Sequence, residues 1–573
     1  MSKSDFRIAL LGNFTTEYVG MALRDECTRA GICAKVWNAP YNQYIQQIMD
    51  PESRFYAFMP DLSILLLDSR ILYAKEFLLS ERAGSNGGGS TDIPEDKAGT
   101  IFNMLNTIRR YSRTRIIINN FHVPYHVPLG IQDNRLGSGL KRRITQANLD
   151  LESAVLKIED VYVFDFNGFY SLVGQNEMQN SKMYYMAGSV MSMTAAKRLA
   201  AEYMRYILPL LSMSKKCLVL DLDNTLWGGV AAEDGLEGVC LDMTGKGRCY
   251  YDFQQEVLNL YRKGIFIAAA SKNNPEDALE IINKHPHMLL RQKHFAAMRI
   301  NWTDKAANLR EIASELNIGT DSLVFFDDNP VERELVKSVL PEVTVVDVPA
   351  DAAGYCDALR ALPLFETLQI TEEDRRRNEM AAQNRERTQY LAQAGSLEDY
   401  LAGLETVIEV APANDFTLPR VSQLTLKTNQ FNMTTKRYPL SQLKLIMDEG
   451  DHCILCCSVA DRFGENGITG CCIARLEGST AWLDTFLLSC RVLGRHVEFA
   501  FLGEAVRYLR EKMNVRKVIA EYVPTQKNRA NEGFYVKAGF KPVTSDEIHS
   551  LFELDAGQEI PQIDHITIRT GEE

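Results

Sequence analysis

Short apolar runs separated by helix-length stretches constrain the fold of this chain more than any other feature of its sequence. Four such runs occur in the first part, at residues 7–11 (RIALL), 61–67 (DLSILLL), 115–119 (RIIIN) and 161–164 (VYVF). Strands that alternate with helices are typical of a parallel sheet covered by helices on both faces. The sequence therefore predicts an α/β fold class for this part.

The same alternation returns further along the chain, with apolar runs at residues 217–221, 264–270, 323–326 and 343–346. A charged segment of helical pattern follows and predicts a solvated connector. The rest of the chain begins with strands and continues with helices and strands, which is typical of an α+β domain. A stretch rich in Gly and Ser, residues 83–97, predicts a mobile loop. The predicted domains are residues 1–212, 213–363 and 406–573, with the connector at 364–405.

The composition of the 573 residues excludes several classes of protein. With 46% hydrophobic and 24% charged residues, the chain is predicted to be globular rather than disordered. A formal net charge of −12 argues against a nucleic-acid partner, which requires a broad positive surface. No apolar run approaches the ~18 residues that span a bilayer, and the first residues lack the pattern of a signal peptide. We therefore expect a cytoplasmic protein with no membrane partner.

The twelve cysteines are expected to be reduced thiols, because the sequence shows no export signal. Five of them are clustered in a way that superficially resembles a zinc site. Adjacent cysteines on a strand point to opposite faces, so these five cannot form one compact tetrahedral site. We interpret them as small apolar residues of two strands: Cys453, Cys456, Cys457, Cys471 and Cys472.

An acid pair, Asp221 and Asp223, follows the apolar run at residues 217–220. Residues i and i+2 of a strand lie on the same side, and the carboxyl end of a parallel strand borders the crevice where α/β proteins bind ligands. Two carboxylates this close repel each other unless a metal ion or a proton lies between them. The pair therefore indicates a metal or proton-transfer site.

Three more polar segments follow strand-like runs of the same domain. Ser271 ends GIFIAAAS, Lys305 begins a helical stretch in WTDKAANL, and Asp327 and Asp328 follow the run at 323–326. This order resembles the motifs of the haloacid dehalogenase (HAD) superfamily of phosphoryl-transfer enzymes: an acid pair, a hydroxyl, a lysine and further acids. The resemblance implies a Rossmann-like domain.

The HAD resemblance also implies a role for each of these side chains. Asp221 would attack phosphorus and form an aspartyl-phosphate. Asp223 would protonate the leaving group and then activate water. Ser271 and Lys305 would hold the phosphate oxygens. The residues implied to hold Mg²⁺ are Asp221, the backbone carbonyl of Asp223, and one or both of Asp327 and Asp328.

Longer segments narrow the resemblance to the FkbH-like branch of the superfamily, subclass IIIC. They include DLDNTLWGGVAAEDGLEGV, ASKNNPEDALE and FFDDNPVERE, and later QLTLKTNQFNMTTKRY and ADRFGENGITG. The family combines an SGNH-hydrolase-like N-terminal domain, a HAD domain and a GNAT-like acyltransferase domain. Its best-understood members remove phosphate from 1,3-bisphosphoglycerate and load the glyceryl unit onto an acyl carrier protein for polyketide assembly. Other members belong to surface-polysaccharide pathways.

One position departs from the pattern of the glyceryl-loading members. Several of them carry a cysteine between the two aspartates, where this chain has Leu222. Leucine cannot hold a thioester. The sequence therefore favours phosphatase chemistry at the acid pair and acyl transfer at another part of the chain. Cys490 in FLLSCRVLGR is a second candidate thiol. The alternative is an ordinary buried cysteine on the strand before a helix.

The segment around Cys490, residues 489–500 (SCRVLGRHVEFA), predicts a strand, a tight turn at Gly494 and the start of a helix. It resembles the coenzyme A turn of GNAT acetyltransferases, in which amides at a helix N-terminus bind pyrophosphate. Arg491 and Arg495 would add positive charge. The implied cofactor is coenzyme A or a phosphopantetheine arm.

Two later residues match GNAT positions. Asn528 corresponds to an acyl-thioester contact, and Tyr535 corresponds to a general acid or, alternatively, is a core tyrosine. A polar cluster is expected to line the acyl or acceptor pocket, with a capped turn as the alternative. Its members are Lys427, Asn429, Gln430 and Asn432.

The N-terminal domain lacks the residues of an SGNH hydrolase. Asn13 and Thr15 stand where that family has its nucleophilic serine, and no serine is adjacent. His122 and His126, in HVPYHVP, do not place a triad histidine. We interpret the domain as a non-hydrolytic binding or docking module that helps to dock the carrier protein.

Three hypotheses for the function follow. The leading one is a Mg²⁺-dependent HAD phosphatase that takes a small phosphorylated acyl substrate and loads the acyl group onto an acyl carrier protein. The second is a phosphatase fused to a coenzyme A-dependent acetyltransferase that acts on a sugar nucleotide. The third is a scaffold whose enzymatic sites have lapsed, which the intact acid and lysine motifs argue against.

Overall fold

The computed structural model describes residues 5–77, 96–368, 393–545, 549–558 and 562–570, with isolated positions at 383, 386, 387, 390, 391 and 560. Most of the loop predicted at 83–97 and much of the connector predicted at 364–405 lie outside these residues. The chain divides into two compact units, residues 1–207 and 208–573. Within the described residues, no helix combines the length and apolar character needed to cross a membrane.

The first unit is built on a parallel sheet whose strands are apolar on both faces. Its strands are β1 (Phe6–Gly12), β2 (Ala34–Asn38), β3 (Leu62–Leu66), β4 (Arg115–Asn119) and β5 (Val161–Phe164), in the order β2-β1-β3-β4-β5. The helices are α1 (Glu17–Arg29), α2 (Tyr44–Met49), α3 (Arg54–Phe58), α4 (Ser69–Leu72), α5 (Lys97–Tyr111), α6 (Leu140–Val155), α7 (Phe166–Val173), α8 (Gln175–Met178), α9 (Ser181–Ala187) and α10 (Met193–Leu210).

The second unit begins with another parallel sheet. Its strands are β6 (Cys217–Leu220), β7 (Phe266–Ser271), β8 (Phe295–Ile300), β9 (Leu323–Phe326) and β10 (Thr344–Val345), in the order β10-β9-β6-β7-β8. The helices are α11 (Ala231–Gly238), α12 (Arg248–Arg262), α13 (Pro275–Lys284), α14 (Lys305–Glu315), α15 (Pro330–Val339) and α16 (Tyr355–Arg360). Every residue of β6 and of β9 is fully buried, so both faces of the central strands are covered.

A larger mixed sheet completes the second unit. Its strands are β11 (Thr406–Pro412), β12 (Phe431–Asn432), β13 (His452–Asp461), β14 (Gly464–Glu477), β15 (Thr480–Leu488), β16 (Lys517–Tyr522), β17 (Lys541–Ser545), β18 (Ser550–Asp555) and β19 (Ile566–Thr570). The order is β17-β18-β16-β15-β14-β13-β11-β19, and β12 pairs with β15 beside this path. The helices are α17 (Leu397–Gly403), α18 (Leu418–Lys427), α19 (Leu440–Asp448), α20 (Val497–Met513) and α21 (Phe534–Lys537).

The three sheets confirm the predicted mixed α/β class with parallel sheets. The predicted domain boundaries stay predictions. The five clustered cysteines lie on β13 and β14 as free, buried thiols. They pack with apolar neighbours, which is the environment that their interpretation as apolar strand residues requires.

A buried ion cluster holds the end of β13. Arg387 donates to the two carboxylate oxygens of Asp461, at 2.7 Å each, and Arg495 Nη1 donates to Asp461 Oδ2 at 3.0 Å. All three side chains are buried. Asp461 therefore places one negative charge between two guanidinium groups that are almost entirely shielded from solvent.

Replacing Asp461 with alanine should lower the free energy of unfolding by about 3–5 kcal/mol, because two buried cations lose their counter-ion. Denaturant unfolding of the full chain measures this. Asp252→Ala breaks the exposed Arg248–Asp252 pair and should change the free energy by at most about 1 kcal/mol. Equal effects of the two substitutions would contradict this account of the cluster.

Candidate active site

The carboxyl ends of three adjacent parallel strands bring the predicted acids together. Leu220, the last residue of β6, pairs with Ala269 of β7 and with Phe326 of β9. The next residues along these strands therefore lie at one edge of the sheet, and the backbone amide of Asp221 donates to the carbonyl of Phe326 at 3.0 Å. Asp221, Ser271 and Asp327 are all buried at this edge.

Lys305 lies at the centre of this group. Its Nζ donates to Asp221 Oδ1 at 2.5 Å, to the carbonyl of Ala270 at 2.7 Å and to Asp327 Oδ2 at 3.0 Å. Asp304 caps α14 by accepting from the amide of Ala307, so Lys305 is the first residue of that helix. Burial alone would lower the pKa of Lys305, but the two carboxylates raise it. With 2% of its side chain exposed, Lys305 stays charged inside the protein.

Three carboxylates beside Lys305 could hold a divalent cation. Oxygen atoms of Asp221, Asp327 and Asp328 lie within 4.8 Å of one another. Burial, and then the charge of Asp221, raise the pKa of Asp327 to about 7, although Lys305 opposes the rise. The same two causes raise the pKa of Asp328. A hard cation on these oxygens would relieve the repulsion, and carboxylate oxygens are the ligands that Mg²⁺ prefers.

The side chain of Asp223, which the sequence also implicated in metal binding, is engaged elsewhere. Its Oδ1 accepts from Trp227 Nε1 and from the amide of Ala231, both at 3.0 Å, and its Oδ2 accepts from Asn273 Nδ2 at 2.9 Å. A metal role for Asp223 therefore rests on its backbone carbonyl alone. Burial raises the pKa of Asp223 against the effect of these donors, which makes the carboxyl easier to protonate, as a general acid requires.

Sequence reasoning missed several supporting residues. Asn273 and Trp227 orient Asp223. The signal for Trp227 was its position four residues after the acid, whereas Asn273 lies fifty residues away. Arg333 Nη1 donates to the carbonyls of Asp327 and Asp328 at 2.7 Å each, and the amide of Asn329 donates to Asp327 Oδ1 at 2.8 Å. These contacts fix the loop that carries the acids.

Two exposed apolar side chains border the same edge of the sheet. Trp302 follows β8 and is 70% exposed, with its Nε1 3.4 Å from Asn274 Oδ1. Val331, in the first turn of α15, is equally exposed. An exposed tryptophan beside a polar site offers a surface for the organic part of a ligand.

The predicted thiol, Cys490, lies far from this acid cluster. It begins a short 3₁₀ turn, Cys490–Val492, so the interpretation as a strand cysteine is wrong. Its Sγ lies 3.8 Å from the carbonyl of Asn317, whose side chain donates to the carbonyl of Cys490 at 3.1 Å. Asn317 precedes β9 in the sequence, and Asp327 directly follows β9. Cys490 therefore contacts the segment that leads into β9, whereas the acids follow that strand.

The predicted coenzyme A turn is only partly available for a ligand. Gly494 has a φ of 76°, which fits a tight turn, and α20 begins at Val497. Arg495, however, is buried in its ion pair with Asp461 and donates to the carbonyl of Arg491 at 2.8 Å. Its guanidinium is used within the fold, so the geometry does not support a cofactor role for Arg495.

The side chains of Asn528 and Tyr535 also lie in the interior of the fold. Asn528 Nδ2 donates to the carbonyls of Asn432 and Val523, both at 2.9 Å, and its Oδ1 accepts from the amide of Thr525. Tyr535 is fully buried among phenylalanines, and burial raises its pKa. The geometry favours a structural role for Asn528 over the predicted thioester contact. The ring of Tyr535 lies in the core, but its hydroxyl has no hydrogen-bond partner among the described residues, so the general-acid role stays a prediction.

The polar cluster predicted to line a pocket belongs to the turn between α18 and β12. Lys427 ends α18, and Asn432 lies in β12, where its Oδ1 accepts from the amide of Thr435 at 2.8 Å. Asn429 accepts from Arg437, and the carbonyl of Gln430 accepts from Asn531. The geometry is closer to the alternative, a capped turn.

In the first unit, the polar residues near the SGNH position bind the backbone. Asn13 exchanges hydrogen bonds with the backbone of Asp68, at 3.1 and 2.9 Å, and Thr15 Oγ1 donates to the carbonyl of Ala187 at 2.6 Å. His122 is buried and His126 is exposed. No hydrolytic triad is formed by these four residues.

Comparison with known proteins identifies the family. The model for the FkbH N-terminal domain matches residues 7–207. The crystal structure of the N-terminal part of the protein BF1531 from Bacteroides fragilis, which contains a phosphatase domain complexed with Mg, is 32% identical. It aligns over 64% of this chain and 95% of that chain, with a TM-score of 0.58. The chain belongs to the FkbH-like family. The resemblance found in the sequence is thereby confirmed at this level.

Other solved structures align with a smaller share of this FkbH-like chain and are less similar to it. The ribosomal-protein-S18-alanine N-acetyltransferase from Escherichia coli aligns with 26% of this chain and 94% of that chain, at 12% identity and a TM-score of 0.21. Arabidopsis thaliana NAA60 aligns with 26% and 97%, at 17% identity and a TM-score of 0.21. Scores this low carry no argument, so the SGNH-like and GNAT-like descriptions stay predictions. No curated protein matches the chain.

Asp327→Asn should weaken Mg²⁺ binding at least tenfold, because the cation would lose a charged oxygen ligand. Calorimetric titration of the full chain with Mg²⁺ measures the affinity. Asp451→Asn is the matched control, since Asp451 belongs to a second but exposed group with Glu449 and His452. Unchanged affinity in Asp327→Asn would show that the cation binds elsewhere.

Proposed function

We propose that this FkbH-like protein is a Mg²⁺-dependent phosphatase of the HAD type that acts on a small phosphorylated acyl compound. The observation that carries the proposal is the buried contact of Lys305 with Asp221 and Asp327, beside the third acid, Asp328. The structural relative with a Mg-bound phosphatase domain supports the same reaction class.

The proposed chemistry explains why charges are arranged in this way. An anionic nucleophile must approach an anionic phosphate, and two unit charges 4 Å apart repel by roughly 4 kcal/mol at an effective dielectric of 20. That repulsion corresponds to about three decades in rate. Bound by Asp221, Asp327 and Asp328, Mg²⁺ would supply positive charge next to the phosphate oxygens. Lys305 supplies a fixed cation at the same place.

In the proposed reaction, Asp221 attacks phosphorus and forms an aspartyl-phosphate while the bond to the leaving-group oxygen breaks. Asp223 gives its proton to that oxygen. Asp223 then takes a proton from water, which attacks phosphorus, releases inorganic phosphate and restores Asp221. Ser271 and Lys305 hold the phosphate oxygens throughout.

We further propose that the leading substrate is 1,3-bisphosphoglycerate, which carries one ester phosphate and one acyl phosphate. Asp221 removes the ester phosphate. An acyl carrier protein thiol gives up its proton and attacks the acyl carbon, so that a thioester forms while the bond to the acyl phosphate oxygen breaks and inorganic phosphate leaves. Leu222, which is buried between the two aspartates, cannot hold the acyl group. Cys490 contacts Asn317, which precedes β9, whereas the acids follow β9, and the four residues of that strand span ~13 Å. The strand therefore lies between Cys490 and the acids along the chain, which favours an external carrier.

The coenzyme A-dependent acetyltransferase alternative has less support. Arg495 and Asn528, which were predicted to bind the cofactor, have their polar groups engaged by Asp461 and by backbone carbonyls. The acetyltransferase hypothesis therefore remains an outcome of the carrier experiment below.

Asp221→Asn should lower phosphate release by about 10³-fold or more, because the amide cannot act as the nucleophile. A colorimetric phosphate assay with acetyl phosphate and a panel of phosphate esters, in the presence of Mg²⁺, measures the rate. Asp252→Asn changes an exposed acid on α12 and should retain the wild-type rate. Retained activity in Asp221→Asn would contradict the proposed nucleophile.

The carrier proposal predicts that wild-type protein and Cys490→Ser load a pantetheinylated carrier protein equally well from 1,3-bisphosphoglycerate. Intact-mass spectrometry of the carrier detects the added glyceryl unit. Loading that disappears in Cys490→Ser would restore Cys490 as a relay thiol. Phosphate release without any gain in carrier mass would reject the carrier, and consumption of acetyl-coenzyme A with a sugar nucleotide would then favour the alternative.

A further inference from the structure

The loop after β7 contains a lysine that the proposed reaction does not use. Lys272 directly follows Ser271, and its Nζ donates to Glu332 Oε1 at 2.6 Å. Glu332 lies in the first turn of α15, the helix that follows β9. Since β6 lies between β7 and β9 in the sheet, this ion pair joins elements on both sides of the strand that leads to Asp221. The pair therefore borders the candidate active site.

The carboxylate of Glu332 is only half satisfied. Its side chain is 12% exposed, and its Oε2 atom is buried with no hydrogen-bond partner among the described residues. The helix dipole favours an acid in the first turn of α15, but it does not supply a donor to this oxygen. A buried carboxylate oxygen without a donor costs free energy, and such a group in a folded protein needs an explanation. The described ion pair of Glu332 is with Lys272, so the arrangement fixes the position of that ammonium.

The ammonium of Lys272 keeps donors for a further partner. A lysine ammonium has three N–H donors, and within the described part of the chain Glu332 is the group that accepts from Lys272 Nζ. The Lys272 side chain is 36% exposed, whereas that of Lys305 is 2% exposed. Lys305 shows that one ammonium can serve two anionic groups at once, because it contacts both Asp221 and Asp327. Lys272 can therefore bind a second anionic group while it keeps its contact with Glu332.

Exposed apolar side chains flank this ion pair. The indole of Trp302 lies beside Asn274, two residues after Lys272, and Val331 directly precedes Glu332. Ligand sites combine apolar surface with a small number of polar groups whose positions are fixed. A fixed ammonium between two apolar side chains suits a ligand that joins a short carbon skeleton to an anionic group.

The anionic group left for Lys272 is a different one from the phosphoryl group that is transferred. In the proposed reaction Ser271 and Lys305 hold the transferred group, and both of these side chains are buried. Lys272 follows them outside the buried edge and is partly exposed. The leading substrate has a second group of this kind, because it carries an acyl phosphate in addition to the ester phosphate that Asp221 removes.

We propose that Lys272 binds a second anionic group of the substrate, a carboxylate or a phosphate a few bonds away from the transferred phosphoryl group, through hydrogen bonds from its Nζ. Lys272 thereby selects substrates with two anionic groups over substrates with one. The inference rests on the proposed phosphatase function and adds the substrate class. Hydrogen bonds between an ammonium and an anion are among the strong ones, so the second group should raise the affinity at least tenfold.

The test compares probes that share an ester phosphate and differ in the second group. Glycerol 3-phosphate has a hydroxymethyl group where 3-phosphoglycerate has a carboxylate, and propane-1,3-diol bisphosphate has a second phosphate. Calorimetric titration of the full chain carrying Asp221→Asn, with Mg²⁺ present, measures the affinities without turnover. At least one of the two doubly anionic probes should bind tenfold or more tightly than glycerol 3-phosphate, and the tighter one identifies the second group.

Lys272→Gln, added to the same protein, should lower the ratio of these affinities at least fivefold, and a general loss of binding would leave the ratio unchanged. Lys337→Gln is the matched control and should keep the ratio, because Lys337 lies in the last turn of α15 in an exposed pair with Glu334. An unchanged ratio in Lys272→Gln would overturn the proposal. So would a parent protein that binds the three probes equally or binds none of them.

Phosphate release by the protein with Asp221 intact separates this inference from the proposed function. Lys272→Gln should raise the KM for the doubly anionic probe with little change in kcat, because the contact is made before and during the reaction alike. A preference that depends on Lys272, in a protein that releases no phosphate, would reject the phosphatase and retain the anion site. Phosphate release with the same kcat/KM for all three probes would retain the phosphatase and overturn the anion site.

Discussion

The contact of Lys305 with Asp221 and Asp327 is the interaction on which the candidate site depends. Three carboxylates at a buried sheet edge would repel one another, and their charged forms would be lost without a cation. Lys305 is suited to this position because the Asp304 cap places it at the first residue of α14, facing the ends of β6 and β9. The parallel sheet then supplies what single residues cannot, namely the carboxyl ends of β7 and β9 on either side of β6, each hydrogen-bonded to it.

The sequence was sufficient to predict this part of the molecule because the relevant signals are local. An apolar strand followed by acids at positions i and i+2 has few other interpretations, and four such motifs in order restrict them further. The apolar runs predicted most strands of the parallel sheets for the same reason. They missed β2 and β8. Strand β2 (AKVWN) lies at a sheet edge with no fully buried residue, and β8 (FAAMRI) carries a half-buried Arg299 as its fifth residue.

The supporting role of Asn273 could not be predicted in this way, because its partner is distant in sequence. Asn273 reaches Asp223 across fifty positions, and nothing near Asn273 indicates this contact. The C-terminal part shows the converse problem. Arg495 and Asn528 carry the polar groups that a cofactor site needs, but burial and competing partners such as Asp461 decide whether those groups are available. Composition and spacing do not report that competition.

The two units also differ in how their polar groups are used. In the phosphatase-like site nearly every buried polar atom has a partner, and the remaining need is for a cation. In the first unit, the ring of His122 is packed on Tyr170, and neither of its buried ring nitrogens has a partner among the described residues.

The central claim is that Asp221 becomes phosphorylated during turnover. Acid quenching within the first turnover, with Mg²⁺ and acetyl phosphate present, followed by peptide mass spectrometry, tests it most directly. The account predicts one phosphoryl group on the peptide that contains Asp221, assigned to that side chain by fragmentation. Phosphate release at the full rate, with the label absent from Asp221 or found on another residue, would contradict it.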